Sequence, residues 1–347
     1  MKSFLGFLFG VFLCLILSLF AGESPTHVLM VLLKSAFGSK YDLGLTLFYT
    51  TSLIFTGLSV CIAFYAGMFN IGAEGQLIIA TLATAAVGIL FPNVPSSLAP
   101  LFGIGVAIIT GGLWGFIPGI LKAKRGSHEV IITMMMNFIA AGIASYYVVG
   151  ALKSTTSQNP ESEMVSPNYL FKSFDPISQF FQDSPANLSL LIAIFLAVAL
   201  HFFLFRSIKG FEIRALGQNE EAASVAGISG VQLKTLCMTL AGAFAGLVAT
   251  NEILGSAGKF QLGFSPEYGF IGIAVALMAR NRPLRIIFTA FLFGALQKGA
   301  SDLDLETNAI TRDFAKILQA VIILSVISFA LIPLNFEKVK KWIKKQA

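Results

Sequence analysis

The chain has 347 residues, 56% hydrophobic and only 12% charged, with a mean hydropathy of +0.80. Soluble globular domains carry roughly 25% charged residues, so the composition excludes one and requires a polytopic membrane protein. The net charge of +6 does not point to nucleic acid, because the basic residues sit in short turns between apolar runs, where they set membrane orientation.

Lys2 is followed by an apolar run over 4–20, which reads either as a first transmembrane helix or as a signal sequence. Its length of about 17 residues and the poor cleavage context Leu19-Phe20-Ala21 favour a retained helix. Residues 21–43 carry Glu23, Lys34, Lys40 and Asp42 and read as an outer, partly helical segment. The second span, 45–69, enters from outside, and the third covers 72–90. Pro92, Pro95 and Pro100 mark an outer turn before the fourth span, 101–121, whose Gly111, Gly112 and Gly115 permit close helix contact.

Between Asp42 and Lys122 the only formal charge is Glu74, in Asn70-Ile71-Gly72-Ala73-Glu74-Gly75-Gln76. A charge at a helix centre costs about 2.5–3.5 kcal/mol on insertion scales, so it must be paired, sit at a membrane edge or face a wet path. Asn70 suits the N-cap of the helix that follows. The stretch therefore reads as a break between two membrane helices with polar groups gathered at it. Candidate path residues are Asn70, Glu74, Gln76 and, on the fifth span, Asn137; Phe64, Tyr65 and Phe69 are rings able to stack on a flat solute. Each has a plainer use: helix capping for Glu74, interhelical bonding for Gln76 and Asn137, packing for the aromatics.

Lys122, Lys124 and Arg125 form a basic inner turn before the fifth span, 130–149. Residues 151–187, with Pro160, Pro167, Pro176 and Pro185, form the one long outer loop. The sixth span is 188–205. The inner segment 206–234 contains Asn219 as an N-cap, Glu220 and Glu221 where the helix dipole favours negative charge, the helix formers Ala222 and Ala223, and Gly227 as a stop. A two-turn, alanine-rich helix at the cytoplasmic face is expected, either a solvated connector or a rod that enters a partner's groove.

The Gly- and Ala-rich seventh span, 235–250, ends near Asn251 and Glu252, which touch an outer partner or line a vestibule. The eighth, 268–279, is short for a crossing and needs neighbouring residues or a re-entrant link. Arg280, Arg282 and Arg285 mark an inner turn; the ninth span covers 286–296; Asp302, Asp304 and Glu306 form an acidic outer turn. The last span, 317–334, leads to a basic tail, 335–347, with Lys338, Lys340, Lys341, Lys344 and Lys345.

The expected fold is thus all-α, a single transmembrane helical bundle over 1–347 with about ten spans and both termini cytoplasmic. Sixteen of the 24 Lys and Arg fall on the inner side, which supports that orientation. Spans 2–5 and 7–10 have the opposite orientations an inverted repeat requires. Cys14, Cys61 and Cys237 all lie in apolar spans, and neither a disulfide framework nor a metal site is expected.

The run Gly210 to Ile228, with Arg214, Ala215, Gly217, Asn219, Ala222, Ala223 and Gly227 in register, resembles the cytoplasmic coupling loop of ABC importer permeases. It is most similar to the branched-chain amino acid, simple sugar and nucleoside branch. Phe69 to Gln76, His128 to Asn137, and Tyr268 to Leu277 running into Arg280-Asn281-Arg282-Pro283 resemble further blocks of that branch, in family order. His128 replaces the family's usual Asn, and Glu221 stands where Pro is common.

The resemblance implies an inner-membrane permease that pairs with a second permease, identical or homologous. A cytoplasmic ATP-binding subunit would grip Arg214, Gly217, Asn219, Glu220, Glu221, Ala222, Ala223 and Gly227. An extracytoplasmic lipoprotein would deliver a nucleoside-like solute, with sugars and flavins open. The chain has no Gly-x-x-x-x-Gly-Lys-Ser/Thr loop, so no cofactor is expected on it, and ATP and Mg belong to the partner. The residues alone also allow a proton-coupled secondary transporter using Glu74. An intramembrane enzyme is disfavoured: His128-Glu129 lacks a second His, and no paired-Asp or Ser/His arrangement stands out.

Overall fold

The structure, a computed structural model, describes residues 2–171, 175–307 and 310–331; the tail lysines lie outside the described residues. Among these the chain is all-helical. The helices are α1 (Lys2–Phe20), α2 (Pro25–Phe37), α3 (Lys40–Tyr65), α4 (Ala73–Leu90), α5 (Ala99–Arg125), α6 (Glu129–Val149), α7 (Pro176–Phe180) and α8 (Ser189–Arg206). They continue as α9 (Ile208–Gln218), α10 (Glu220–Val225), α11 (Gly230–Gly246), α12 (Tyr268–Met278), α13 (Pro283–Glu306) and α14 (Arg312–Leu331). A π-helical stretch, Thr250–Ala257, follows α11. Six helical runs are long and apolar enough to cross a membrane: α3, α4, α5, α6, α8, and α11 with the π-helical stretch.

α3 is the central post. Helices buried on every side are apolar or small all round, and α3 fits that description. Its Thr50, Thr51 and Thr56 turn their hydroxyls back onto the helix's own carbonyls, at 2.7, 2.8 and 3.1 Å, so they enter the core without an unmet donor. Against α3 pack α11, α12, α13, α8 and α2. By contrast, α5, α6 and α8 turn broad apolar faces outward, including Leu113, Phe138 and Phe195.

The closest helix pair is α5 with α11. A Cβ on Gly242 would lie 2.1 Å from Gly111 O, and one on Gly115 would lie 2.3 Å from Met238 O. Small residues at four-residue spacing (Ala107, Gly111, Gly115) let the two backbones touch, the usual packing device of membrane helices.

Some local expectations change. Asp302, Asp304 and Glu306 do not form a turn; they complete the last turns of α13, which is 24 residues long. Lys298, one turn earlier on α13, bonds Asp302 and lies 3.6 Å from Asp42, so those two acids share a buried partner in helical geometry. The N-cap of α4 is Gly72, not Asn70; Asn70 instead accepts the Gly72 N–H at 3.1 Å. The seventh apolar run continues past Thr250 through the π-helical stretch.

The loop after α6 is stitched to the link after the π-helical stretch. Ser162 N donates to Phe260 O at 2.8 Å, Val165 N to Gly258 O at 2.8 Å, and Leu262 N to Pro160 O at 3.1 Å. Lys259 bonds Glu161 at 2.8 Å, and this ammonium holds the Glu161 carboxyl below its usual range.

Candidate functional site

The break between α3 and α4 gathers the polar residues of its stretch. Asn70 Nδ2 donates to Ser59 Oγ at 3.0 Å and to Gln76 Oε1 at 2.9 Å; Gln76 Nε2 returns a bond to Asn70 Oδ1 at 3.2 Å. Both side chains are fully buried. Asn137, on α6, accepts the Gly75 N–H at 2.8 Å and donates to Ile71 O at 3.0 Å. Helix breaks free backbone groups that water cannot reach in a bilayer, and these amides satisfy them. Asn70, Gln76 and Asn137 thus hold the break together.

Glu74 sits in the first turn of α4 and reaches across to α12. Its Oε2 accepts the Gly269 N–H at 2.8 Å, and Ser265 also bonds the carboxyl. Gly269 is in contact with it: a Cβ there would lie 2.4 Å from Glu74 N. The N-terminus of the short helix α12 therefore ends on a carboxylate, which the helix dipole favours. The same carboxyl lines a cavity of about 200 Å³ with Ile78, Phe260, Phe264 and Ser265. The irregular link 258–267 leads from the π-helical stretch to this point, and α12, which follows it, has only 11 residues.

The aromatic candidates lie elsewhere. Phe64 and Phe69 stack edge to face at 5.0 Å, and Tyr65 meets Phe205 of α8 at 5.9 Å. Phe64 and Tyr65 line a separate cavity of about 300 Å³ with Arg214, Gly217 and Gln218. The seven path residues thus divide: Asn70, Glu74, Gln76 and Asn137 gather at the break, Phe64 and Tyr65 join the segment 206–234, and Phe69 packs on Phe64.

Segment 206–234 has the expected short helix. Asn219 Oδ1 accepts the Ala222 N–H at 2.9 Å, α10 runs over Glu220–Val225, and Gly227 turns the chain with φ +79°. Glu221, Ala222 and Gly227 are exposed and Ala223 is buried. Glu220 ties α10 to α11 through Lys234 at 2.6 Å. Gly217 packs its backbone on α3, where a Cβ would lie 2.2 Å from Tyr65 O. Arg214 turns inward, its guanidinium 5.2 Å above the Phe205 ring. Val225, 92% exposed at the tip of α10, escapes the sequence reading because isolated surface valines are unremarkable.

A second buried polar group surrounds the π-helical stretch. Ser52 Oγ donates to Glu252 Oε1 at 3.1 Å, Asn251 Nδ2 to Ser52 Oγ at 2.9 Å, and Asn187 Nδ2 to Asn251 Oδ1 at 2.9 Å. Tyr268 also bonds Glu252. Sequence reasoning marks Asn251 and Glu252 but not Ser52 or Asn187, because an extra residue per turn has no sequence signature. Among the described residues, no cluster of His, Cys, Asp and Glu is arranged to hold a metal.

Residues 43–327 match the model of a family described as branched-chain amino acid transport system / permease component. The chain is 36% identical over 327 residues to the guanosine ABC transporter permease protein NupP of Bacillus subtilis (strain 168), covering 94% of this chain and 92% of the relative. It is 32% identical over 336 residues to the nucleoside ABC transporter permease protein NupB of Lactococcus lactis subsp. cremoris (strain MG1363), covering 96% and 92%. It is also 32% identical over 310 residues to the glucose ABC transporter permease protein TsgB13 of Haloferax volcanii, covering 88% and 80%. No solved structure matches the chain.

Proposed function

The chain belongs to the family of branched-chain amino acid transport system permease components, and from that premise we propose that it imports a nucleoside-like solute across the cytoplasmic membrane. It is an ABC transporter permease subunit, a multi-pass membrane protein with a transport role rather than an enzymatic one. The nucleoside assignment rests on the relatives named for guanosine and nucleosides; glucose is the named solute of another relative, and sugars or flavins are the alternatives.

In this reading the bundle is one domain crossing the membrane about ten times, with both termini inside and spans 2–5 and 7–10 as an inverted repeat. ATP and Mg are bound by a cytoplasmic ATPase, a second permease completes the membrane unit, and an extracytoplasmic lipoprotein hands over the solute. The ATPase draws on α10, and the bundle rocks so that the region around Asn70–Gln76 changes side. The observation that carries this reading is α10 itself: a capped, exposed helix whose Ala222 face is free, tied to α11 through Glu220 and preceded by α9, which packs on α3 at Gly217. A proton-coupled carrier using Glu74 gains no such support, because that carboxylate already serves as the cap of α12.

The test replaces the small exposed side chain of the rod. Ala222→Trp is expected to abolish guanosine uptake and co-purification of the ATPase while the protein still inserts in the membrane. Normal uptake and normal co-purification in that variant would overturn the coupling role.

A further inference from the structure

The chain segment Gly263–Glu267 is a wall with a cavity on each side. One is the Glu74 cavity; the other, of about 590 Å³, lies between this segment, α13 and α14, and both are lined by Gly263 and Ser265. Among the described residues, five polar side chains line the larger space: Ser265, Glu267, Gln297, Lys316 and Gln319. Polar and charged groups within a membrane bundle face one another or a water-filled space, so this is a wet chamber rather than a packing defect.

We propose that this chamber holds the solute within the membrane domain, and that the paired amides of Gln297 and Gln319 read a neutral molecule offering both a donor and an acceptor, such as a nucleoside. The inference rests on the nucleoside reading above and names its site. The two glutamines are 22 positions apart on different helices, yet Gln319 Nε2 donates to Gln297 Oε1. That bond fixes both amide planes and leaves Nε2 of Gln297 and Oε1 of Gln319 for a ligand, a donor beside an acceptor. Among the described lining residues the charged groups are Glu267 and Lys316, one of each sign and both exposed at the rim, so neither sign dominates and a neutral solute suits the space. The volume falls within the roughly 300–1,000 Å³ of small-molecule sites. The wall is held in an uncommon backbone shape, with left-handed φ at Gly263 (+75°) and at Glu267 (+66°), and non-glycine residues in that region cluster at functional segments.

The test uses the complete transporter in vesicles. Cys14, Cys61 and Cys237 are all buried, which leaves little background for thiol labelling. Ala320→Cys and Ile323→Cys place a thiol on the chamber lining. We expect a membrane-impermeant thiol reagent to label at least one of them from outside, and guanosine to block that labelling. Gln297→Leu is expected to raise the KM for guanosine about tenfold, the effect of one lost ligand hydrogen bond, with kcat little changed. If the unsubstituted transporter imports guanosine but guanosine protects neither cysteine, or neither is labelled, the chamber assignment falls and the nucleoside reading stands. If the unsubstituted transporter does not import guanosine, the nucleoside reading falls and this inference with it.

Discussion

At Glu74 the cost of a carboxylate in an apolar bundle is offset by a backbone donor that would otherwise be orphaned. Gly269 N–H has no carbonyl one turn earlier to bond, because it opens α12, and Glu74 Oε2 stands at 2.8 Å from it. The arrangement needs an acceptor more than it needs a charge. Glu74→Gln is therefore expected to keep most of the uptake rate and thermal stability in detergent. Glu74→Leu leaves a buried donor unmet, at a cost of about 1–3 kcal/mol, and is expected to lower both. Equal loss in the two variants would show that the negative charge itself is used. The sequence singles out Glu74 by its isolation, but its partner lies 195 positions away, and no local pattern joins the two. The same limit applies to Asn70, whose side chain suits an N-cap but bonds Gly72, Gln76 and Ser59 in a ring.

Among the elements, α10 is legible in full from its own residues. Cap, acidic first turn, alanines and glycine stop are all local signals, and each is found where the pattern places it. The apolar runs are legible for the same reason: burial in lipid or bundle leaves a composition signature. The π-helical stretch and the long α13 are not, since both depend on what packs against them: Ser52 with Asn251 and Glu252 in one case, Asp42 with Lys298 in the other. A close helix contact of α5 is anticipated from Gly111, Gly112 and Gly115, but that α11 is the partner, and which glycines matter, is decided by the fold. Gly242→Val is expected to prevent folding or membrane accumulation, because even a Cβ would collide with Gly111 O. Gly112→Ala, one position along α5, would place its Cβ 3.5 Å from Thr239 O and should be tolerated. Comparing the yield and detergent melting of the two proteins checks that only one face of α5 is intolerant.

Across the whole molecule, the loop after α6 and the 258–262 link form one stitched unit, joined by the Glu161–Lys259 pair. The Glu161 carboxyl is held below its usual range first by its bond to Lys259, so the sign of the pH effect is fixed. The pair contributes fully above the ordinary glutamate value of about 4.3 and is lost as pH falls through the lower folded value. Proteolysis of residues 151–165 in vesicles should therefore accelerate only below about pH 4. Lys259→Met should bring that acceleration on at neutral pH, and cleavage independent of pH in the unsubstituted protein would remove the pair's role.

The backbone contact between α5 and α11 bears on how a push is relayed. α10 leads within five residues into α11, and Glu220 is fastened to it by Lys234. At Gly111, Gly115, Gly242 and Gly246 backbone meets backbone, with no side chain between them to bend or change rotamer. Under the coupling proposed above, the two helices would move as a single stiff beam, and a tug at the α10 end would arrive at the far end without slack.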